Sequence, residues 1–292
     1  MRTFNMKIIR DVREMRSYAE EQRAKGKIIA LVPTLGALHE GHMSLLKRAR
    51  KKADTIVLSL FLNPIQFSEL SDFKNYPRTL RKDLRLAEAA HVNVVFSPKE
   101  TEMYPKNFST YVSEEVLSKE LCGKSRPDHF RGVATVVAKL FNIIQPHVAF
   151  FGEKDAQQAL IIEKMVKDLA WGIHIETVPT VRDMNGLALS SRNALLSSKE
   201  REDALSLNEA LFMGKIMIAA GEKNPKTVIQ KLRKIIQSRS SAKVDYIEIL
   251  DAQTLKNFKT LPIRSAKKEK AKILIALAVK FGKVRLIDNI VV

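Results

Sequence analysis

The chain has 292 residues, 45% of them apolar and 28% charged, a length for about two domains and a composition that excludes a disordered or fibrous protein. No apolar run approaches the ~20 residues of a membrane helix, the basic stretch Met1–Arg16 has no apolar core to read as a signal peptide, and the single Cys122 excludes an internal disulfide and points to a reducing cytoplasm. The net charge of +18 suggests nucleic acid, but residues 193–292 carry +10 of it, Lys267, Lys268, Lys270 and Lys272 form the densest cluster, and no aromatics interleave with the basic residues as a base-stacking platform requires; we expect a solvated basic surface and no nucleic-acid partner.

In chain order, Lys27–Val32 is a short β-rich apolar run, Gly41–Lys52 has helical spacing, and Asp54–Phe61 reads as a buried strand. Thr79–Ala90 is expected to be helical and Val92–Phe96 a strand. Apolar residues at 133, 136, 137, 140, 141 and 144 make a helical stripe over Val133–Ile144. Val148–Phe151, Ala156–Ala170 and Ile173–Val178 continue as strand, helix and strand. Strands alternating with helices imply an α/β, doubly wound parallel sheet, expected over residues 1–187. Ligands on such sheets bind at the carboxyl ends of the strands, near a topological switch point. From 188 to 292 the pattern changes to helices (Ser198–Ala220, Pro225–Ser238) followed by strands (Val244–Leu250, Lys272–Val279, Lys283–Ile287), with Gly282 at a hairpin, which predicts a smaller α+β domain.

The chemistry-bearing segments sit just after strands. Pro33-Thr34-Leu35-Gly36-Ala37-Leu38-His39-Glu40-Gly41-His42 runs from a strand into a helix, where backbone N–H groups bind anions and glycine allows close approach. Two imidazoles three residues apart suit the charge that builds on the α-phosphate of ATP during nucleophilic attack. The competing readings are a surface pair and a metal site; a zinc site lacks a Cys or third His at suitable spacing. Asn63 and Gln66 in Phe61–Phe67 offer amide donors and acceptors for a ligand with hydroxyls and a carboxylate, against the reading of Asn-Pro as an ordinary turn. In Phe151–Gln158, Lys154 suits a phosphate, Asp155 suits ribose hydroxyls or a helix cap, and Gln158 lies one turn into the helix. Leu189-Ser190-Ser191-Arg192-Asn193 combines two hydroxyls and a guanidinium, good phosphate ligands that would otherwise cap a helix. His129-Phe130-Arg131-Gly132 precedes the apolar helix and reads equally as a surface loop or an anion contact.

Together these segments resemble the pantothenate synthetase family, whose signature runs P-T-M-G-A-L-H-E-G-H, N-P-x-Q-F, H-F-x-G-V-x-T-V-V, F-G-E-K-D-x-Q-Q and S-S-R-N in that order, with Leu35 here in place of Met. The resemblance covers nearly the whole chain. It implies a Rossmann-like nucleotidyltransferase of the H-x-G-H superfamily that condenses pantoate with β-alanine to pantothenate, AMP and diphosphate through a pantoyl adenylate. It also implies roles. Leu35, Gly36, Ala37, Leu38, His39, Glu40, Gly41 and His42 line the ATP site, with His42 the proton donor and His39 its support. Gly152, Glu153, Lys154 and Asp155 hold ribose and phosphate, Val181 the adenine, and Leu189, Ser190, Ser191 and Arg192 the triphosphate. Gln66 meets both pantoate and β-alanine, Gln158 meets pantoate, and Asn63 and His129 neighbour that pocket. Asp83 lies in a segment similar to the family's metal-side helix, although the metal ligands are not assigned. Mg²⁺ accompanies ATP, and the family implies a cytoplasmic homodimer with the C-terminal domain as a lid.

Overall fold

The computed structural model describes residues 6–262 and 272–292. The basic cluster Lys267, Lys268 and Lys270 lies outside the described residues. The chain divides by internal contacts into two units: one holds residues 1–119, 123–153 and 157–181, the other 120–122, 154–156 and 182–292. This division falls at 181/182, a few residues before the expected 187/188. Arg182 and Asp183 belong with the second unit because Arg182 pairs with Asp288 (2.6 Å) and also bridges to Ala188, and Asp183 pairs with Arg201.

The first unit is built on a six-stranded parallel sheet. Its strands are β1 (Lys7–Ile9), β2 (Ile29–Thr34), β3 (Thr55–Leu60), β4 (Val94–Phe96), β5 (Val148–Gly152) and β6 (His174–Val178), in the order β1-β4-β3-β2-β5-β6. Each neighbouring pair runs parallel; β2 lies between β3 (Ala30↔Ile56) and β5 (Ala30↔Val148). Every residue of β3 is buried, as a sheet covered on both faces requires. The strand order reverses beside β2, which is where a doubly wound sheet opens its ligand crevice. Helices Glu40–Arg50, Leu80–Ala89, His129–Ile144 and Ala156–Asp168 connect the strands. Leu45, Leu46 and Ala49 seat the first of them on a core that includes Val32, Leu58 and Phe150. Helix His129–Ile144 stops at Gln145, which takes the left-handed conformation (φ 45°) before Pro146.

Strand β1 and helix Val12–Ala24 were not anticipated. The helix buries Met15, Ala19 and Gln22 at i, i+4 and i+7, a stripe diluted by charged residues, and Asp11 Oδ1 caps it by accepting from Glu14 N (2.9 Å).

The second unit contains an antiparallel sheet in the order β7 (Ala242–Asp251), β8 (Ile273–Phe281), β9 (Val284–Val291). Gly282 takes φ 56° at the first position of the two-residue β8–β9 turn, where a primed turn needs glycine. Leu207, Leu211, Leu232 and Ile275 join helices to sheet in one core. The expected helix Ser198–Ala220 is two helices, Ser198–Ala204 and Ser206–Ala219. Ser206 Oγ donates to the Asp203 carbonyl (2.6 Å), the acceptor that a continuous helix would offer to Leu207 N–H.

Candidate active site

Three of the motif segments leave the carboxyl ends of adjacent strands: residues 35–42 follow β2, 61–67 follow β3, and 153–158 follow β5. The first makes a sharp turn. Gly36 (φ 86°) and Ala37 (φ 53°) are both left-handed, and the second conformation costs an alanine ~1 kcal/mol. Asp83, almost fully buried at the start of helix Leu80–Ala89, holds the turn. Its Oδ2 accepts from Ala37 N (3.0 Å) and its Oδ1 from Leu38 N (2.8 Å) and Thr79 Oγ1 (3.0 Å). Hydrogen bonds to a charged group contribute about 1.5–3 kcal/mol each, enough to outweigh the strain. A Cβ on Gly36 would sit 3.3 Å from Asp83 Oδ2, so glycine serves both backbone and packing here. Asp83 thus binds the loop backbone.

His39 is the N-cap of helix Glu40–Arg50. Its Nδ1 accepts from Gly41 N (3.1 Å), while its own N–H donates to His42 Nδ1 (3.2 Å). This is a capping box in which imidazoles replace the usual hydroxyl and carboxylate. The rings stack at 4.1 Å between centroids. A Cβ on Gly41 would lie 2.9 Å from His39 Cε1, so glycine at 41 lets the ring fold back over the helix end. Because both Nδ1 atoms accept from backbone N–H groups, each neutral ring carries its proton on Nε2. The pair therefore presents two Nε2–H donors beside a helix N-terminus. Leu35, Ala37, His39 and His42 are half-buried, Gly36 and Leu38 are buried, and Glu40 is exposed.

Asn63 and Gln66 are buried in the turn after β3. Asn63 Nδ2 donates to Gln66 Oε1 (2.9 Å) and to the Gly132 carbonyl (3.1 Å). His129 Nδ1 lies 2.7 Å from the Gln66 carbonyl and donates to it, since a carbonyl only accepts. Gly132 permits this closeness: a Cβ there would come within 2.4 Å of the Ile65 carbonyl. The structure thus brings Asn63, Gln66 and His129 together, although their motifs lie more than 60 residues apart. Gln158 is half-buried in the first turn of helix Ala156–Asp168, whereas the neighbouring Gln157 is buried and spent on the Leu117 carbonyl (2.8 Å). Gly152 ends β5, and Glu153 and Val181 also belong to the first unit.

Within the second unit, Lys154 Nζ lies 3.3 Å from Asp155 Oδ1, and the Lys154 carbonyl accepts from Asn289 Nδ2 (2.8 Å). Ser190 Oγ accepts from Arg192 N (3.3 Å), so the expected cap exists, and half-buried Ser191 and Arg192 follow Leu189 on a 3₁₀ turn.

The Pantoate-beta-alanine ligase family model matches residues 7–291. The chain belongs to this family. It is 47% identical to the pantothenate synthetase of Acetivibrio thermocellus over 98% of this chain and 99% of that one. Among solved structures, pantothenate synthetase from Thermus thermophilus superposes with a TM-score of 0.88 at 37% identity, covering 98% and 99% of the two chains. The pantoate–beta-alanine ligase of Francisella tularensis, solved with beta-gamma ATP and beta-alanine, gives 0.79 at 34% identity and 98% and 97% coverage. The signature motifs of this ligase are therefore carried on the family's own fold.

Two residues beside these segments make contacts that the motifs did not announce. Asp83 could have been paired with the turn through the Thr79-x-x-x-Asp83 spacing at a helix start. Tyr104, which donates to Asn63 Oδ1 (2.7 Å), belongs to none of the motifs and had no signal in the sequence.

Proposed function

We propose that the protein condenses pantoate with β-alanine at the expense of ATP, through a pantoyl adenylate, with the His39–His42 turn as its phosphate site. The observation that carries the reading is the reciprocal imidazole cap, which fixes two Nε2–H donors at a helix N-terminus beside the switch point of the sheet. A pantoate carboxylate oxygen attacks the α-phosphorus, the bond to diphosphate breaks, and negative charge grows on the phosphate oxygens. Preorganised donors lower that barrier because they need not reorient as charge develops. His42 acts on the leaving phosphates as the proton donor, and His39 supports it. The β-alanine amine then attacks the acyl carbon and AMP departs with the carboxylate oxygen.

Gln66, Asn63, His129 and Gln158 bind pantoate in this reading, and Gln66 also meets β-alanine. Leu35–His42, Gly152–Asp155, Val181 and Leu189–Arg192 are assigned to ATP on the motif match. Mg²⁺ would enter with the nucleotide. When bound, the ion would neutralise phosphate charge; the protein's part is to orient the reactants. A cytoplasmic homodimer completes the proposal. No helix among the described residues is long and apolar enough to cross a membrane.

The test of the intermediate is an isotope experiment. Pantoate labelled with ¹⁸O in its carboxylate should pass one label to AMP. Label appearing in free phosphate, or staying wholly in pantothenate, would remove the adenylate.

A further inference from the structure

Leu189, Ser190, Ser191 and Arg192 are half-buried and lie between two buried neighbours, Ala188 and Asn193. The Asn193 side chain joins those neighbours. Its Nδ2 donates to the Ala188 carbonyl (3.0 Å), while its backbone N–H donates to the Ser190 carbonyl (3.0 Å). A carbonyl only accepts, so the amide nitrogen must face Ala188 and the amide has one orientation. Asn193 Oδ1 is buried and meets no donor among the described residues. One neutral hydrogen bond does not outweigh an unmet buried acceptor, so the amide adds little to stability. What it fixes is geometry. Ala188 is anchored on its other side as well. It lies opposite Arg182 in an antiparallel bridge, and Arg182 donates to both oxygens of Asp288 on β9 (2.6 and 2.9 Å) and to the Gly186 carbonyl (3.1 Å). The Asp288 carboxylate is fully buried, and a bidentate pair of this kind holds the guanidinium in one plane. The segment thus starts from a fixed residue and is closed back onto it by Asn193.

We propose that Asn193 is a positioning residue for the nucleotide, whose amide holds Leu189–Arg192 in the one shape that presents the Ser190 and Ser191 hydroxyls and the Arg192 guanidinium to the triphosphate. This rests on the reading of Leu189–Arg192 as the triphosphate segment. Without the amide donor, the buried Ala188 carbonyl is left unmet. The segment then gains by shifting until that carbonyl reaches water. Because the phosphate-binding groups sit on the same short stretch of backbone, they lose their placement together.

Asn193→Leu keeps the branched shape and exchanges one unmet buried acceptor, Oδ1, for another, the Ala188 carbonyl. Its Tm should stay within about 4 °C of the unaltered protein. The expected result is a KM for ATP raised at least about tenfold, the scale of one lost hydrogen bond to a charged group, with the KM for pantoate changed by less than about twofold. Asn193→Ala, which adds no bulk, should give the same split between the two substrates. An unchanged KM for ATP, or equal rises for ATP and pantoate, would overturn the proposal. Failure of both variants to fold would show the amide to be structural and overturn it as well. Arg192→Ala, measured alongside, separates the proposal from the reading beneath it. A KM for ATP that Arg192→Ala leaves unchanged would remove the triphosphate assignment, and the proposal with it. A KM raised by Arg192→Ala but unmoved by either Asn193 variant would overturn the role of Asn193 alone.

Discussion

At the scale of single residues, the site depends on groups that satisfy backbone N–H donors while presenting something outward. His42 Nδ1 accepts from His39 N and so cannot be removed without orphaning a helix-end donor. His42→Ala should therefore lose about 100-fold or more in kcat and about 1 kcal/mol in stability from the broken cap, read by AMP formation and denaturant unfolding. A variant with near-normal kcat would take His42 out of the mechanism. Asp83→Asn is the complementary case. It keeps one acceptor and turns an NH₂ against the Ala37 or Leu38 N–H, which should cost about 1–3 kcal/mol. Because the turn it holds carries the phosphate site, kcat should fall about tenfold or more. Stability loss with unaltered kcat would make Asp83 a structural residue only. The sequence showed the two histidines and both glycines, because their pattern is contiguous. It could not rank the roles of the two nitrogens in each ring, which are decided by backbone N–H groups whose direction exists only in the folded turn.

At the scale of elements, the strands and helices of the sheet were legible because buried parallel strands are continuous apolar runs and their helices keep a clean period. Strand β1 and helix Val12–Ala24 were missed since a three-residue edge strand has no period and the helix stripe is interrupted by Arg and Glu. The break at Leu205 was missed because it arises from a side-chain hydroxyl competing for one carbonyl, not from Gly or Pro. One ion cluster ties the histidine-bearing helix Glu40–Arg50 to the edge of the sheet: Glu176 on β6 accepts from Arg48 and pairs with Lys52 at 2.5 Å. Burial alone would raise the Glu176 pKa, but the two cations hold it below its ordinary value of 4.5. The unfolded chain then binds a proton more readily than the folded one between the folded pKa and about 4.5. The cluster's contribution is full above that window and lost as pH falls through the folded pKa. Glu176→Gln should cost about 1 kcal/mol at neutral pH, a modest figure because both cations are about half exposed. The difference in Tm from the unaltered protein should shrink as pH falls below 4.5. A difference that stays constant from pH 7 to pH 3 would show that the charge of Glu176 contributes nothing.

At the scale of the whole molecule, composition excluded more than it revealed. The +18 charge gave no substrate, and part of its densest basic cluster lies outside the described residues. Five short motifs in fixed order identified the family where no single one could, and three of them follow strand ends that the fold gathers beside one switch point. The identity of the acid and the amine comes from that family membership; an amide-lined pocket alone is equally suited to many hydroxy acids. The central claim is accordingly the three-substrate reaction, and AMP formation by the purified protein tests it most directly. With Mg-ATP, pantoate and β-alanine together, AMP and pantothenate should appear in equal amounts, and omission of either pantoate or ATP should abolish AMP. Steady AMP formation without pantoate, or none with all three present, would contradict the account.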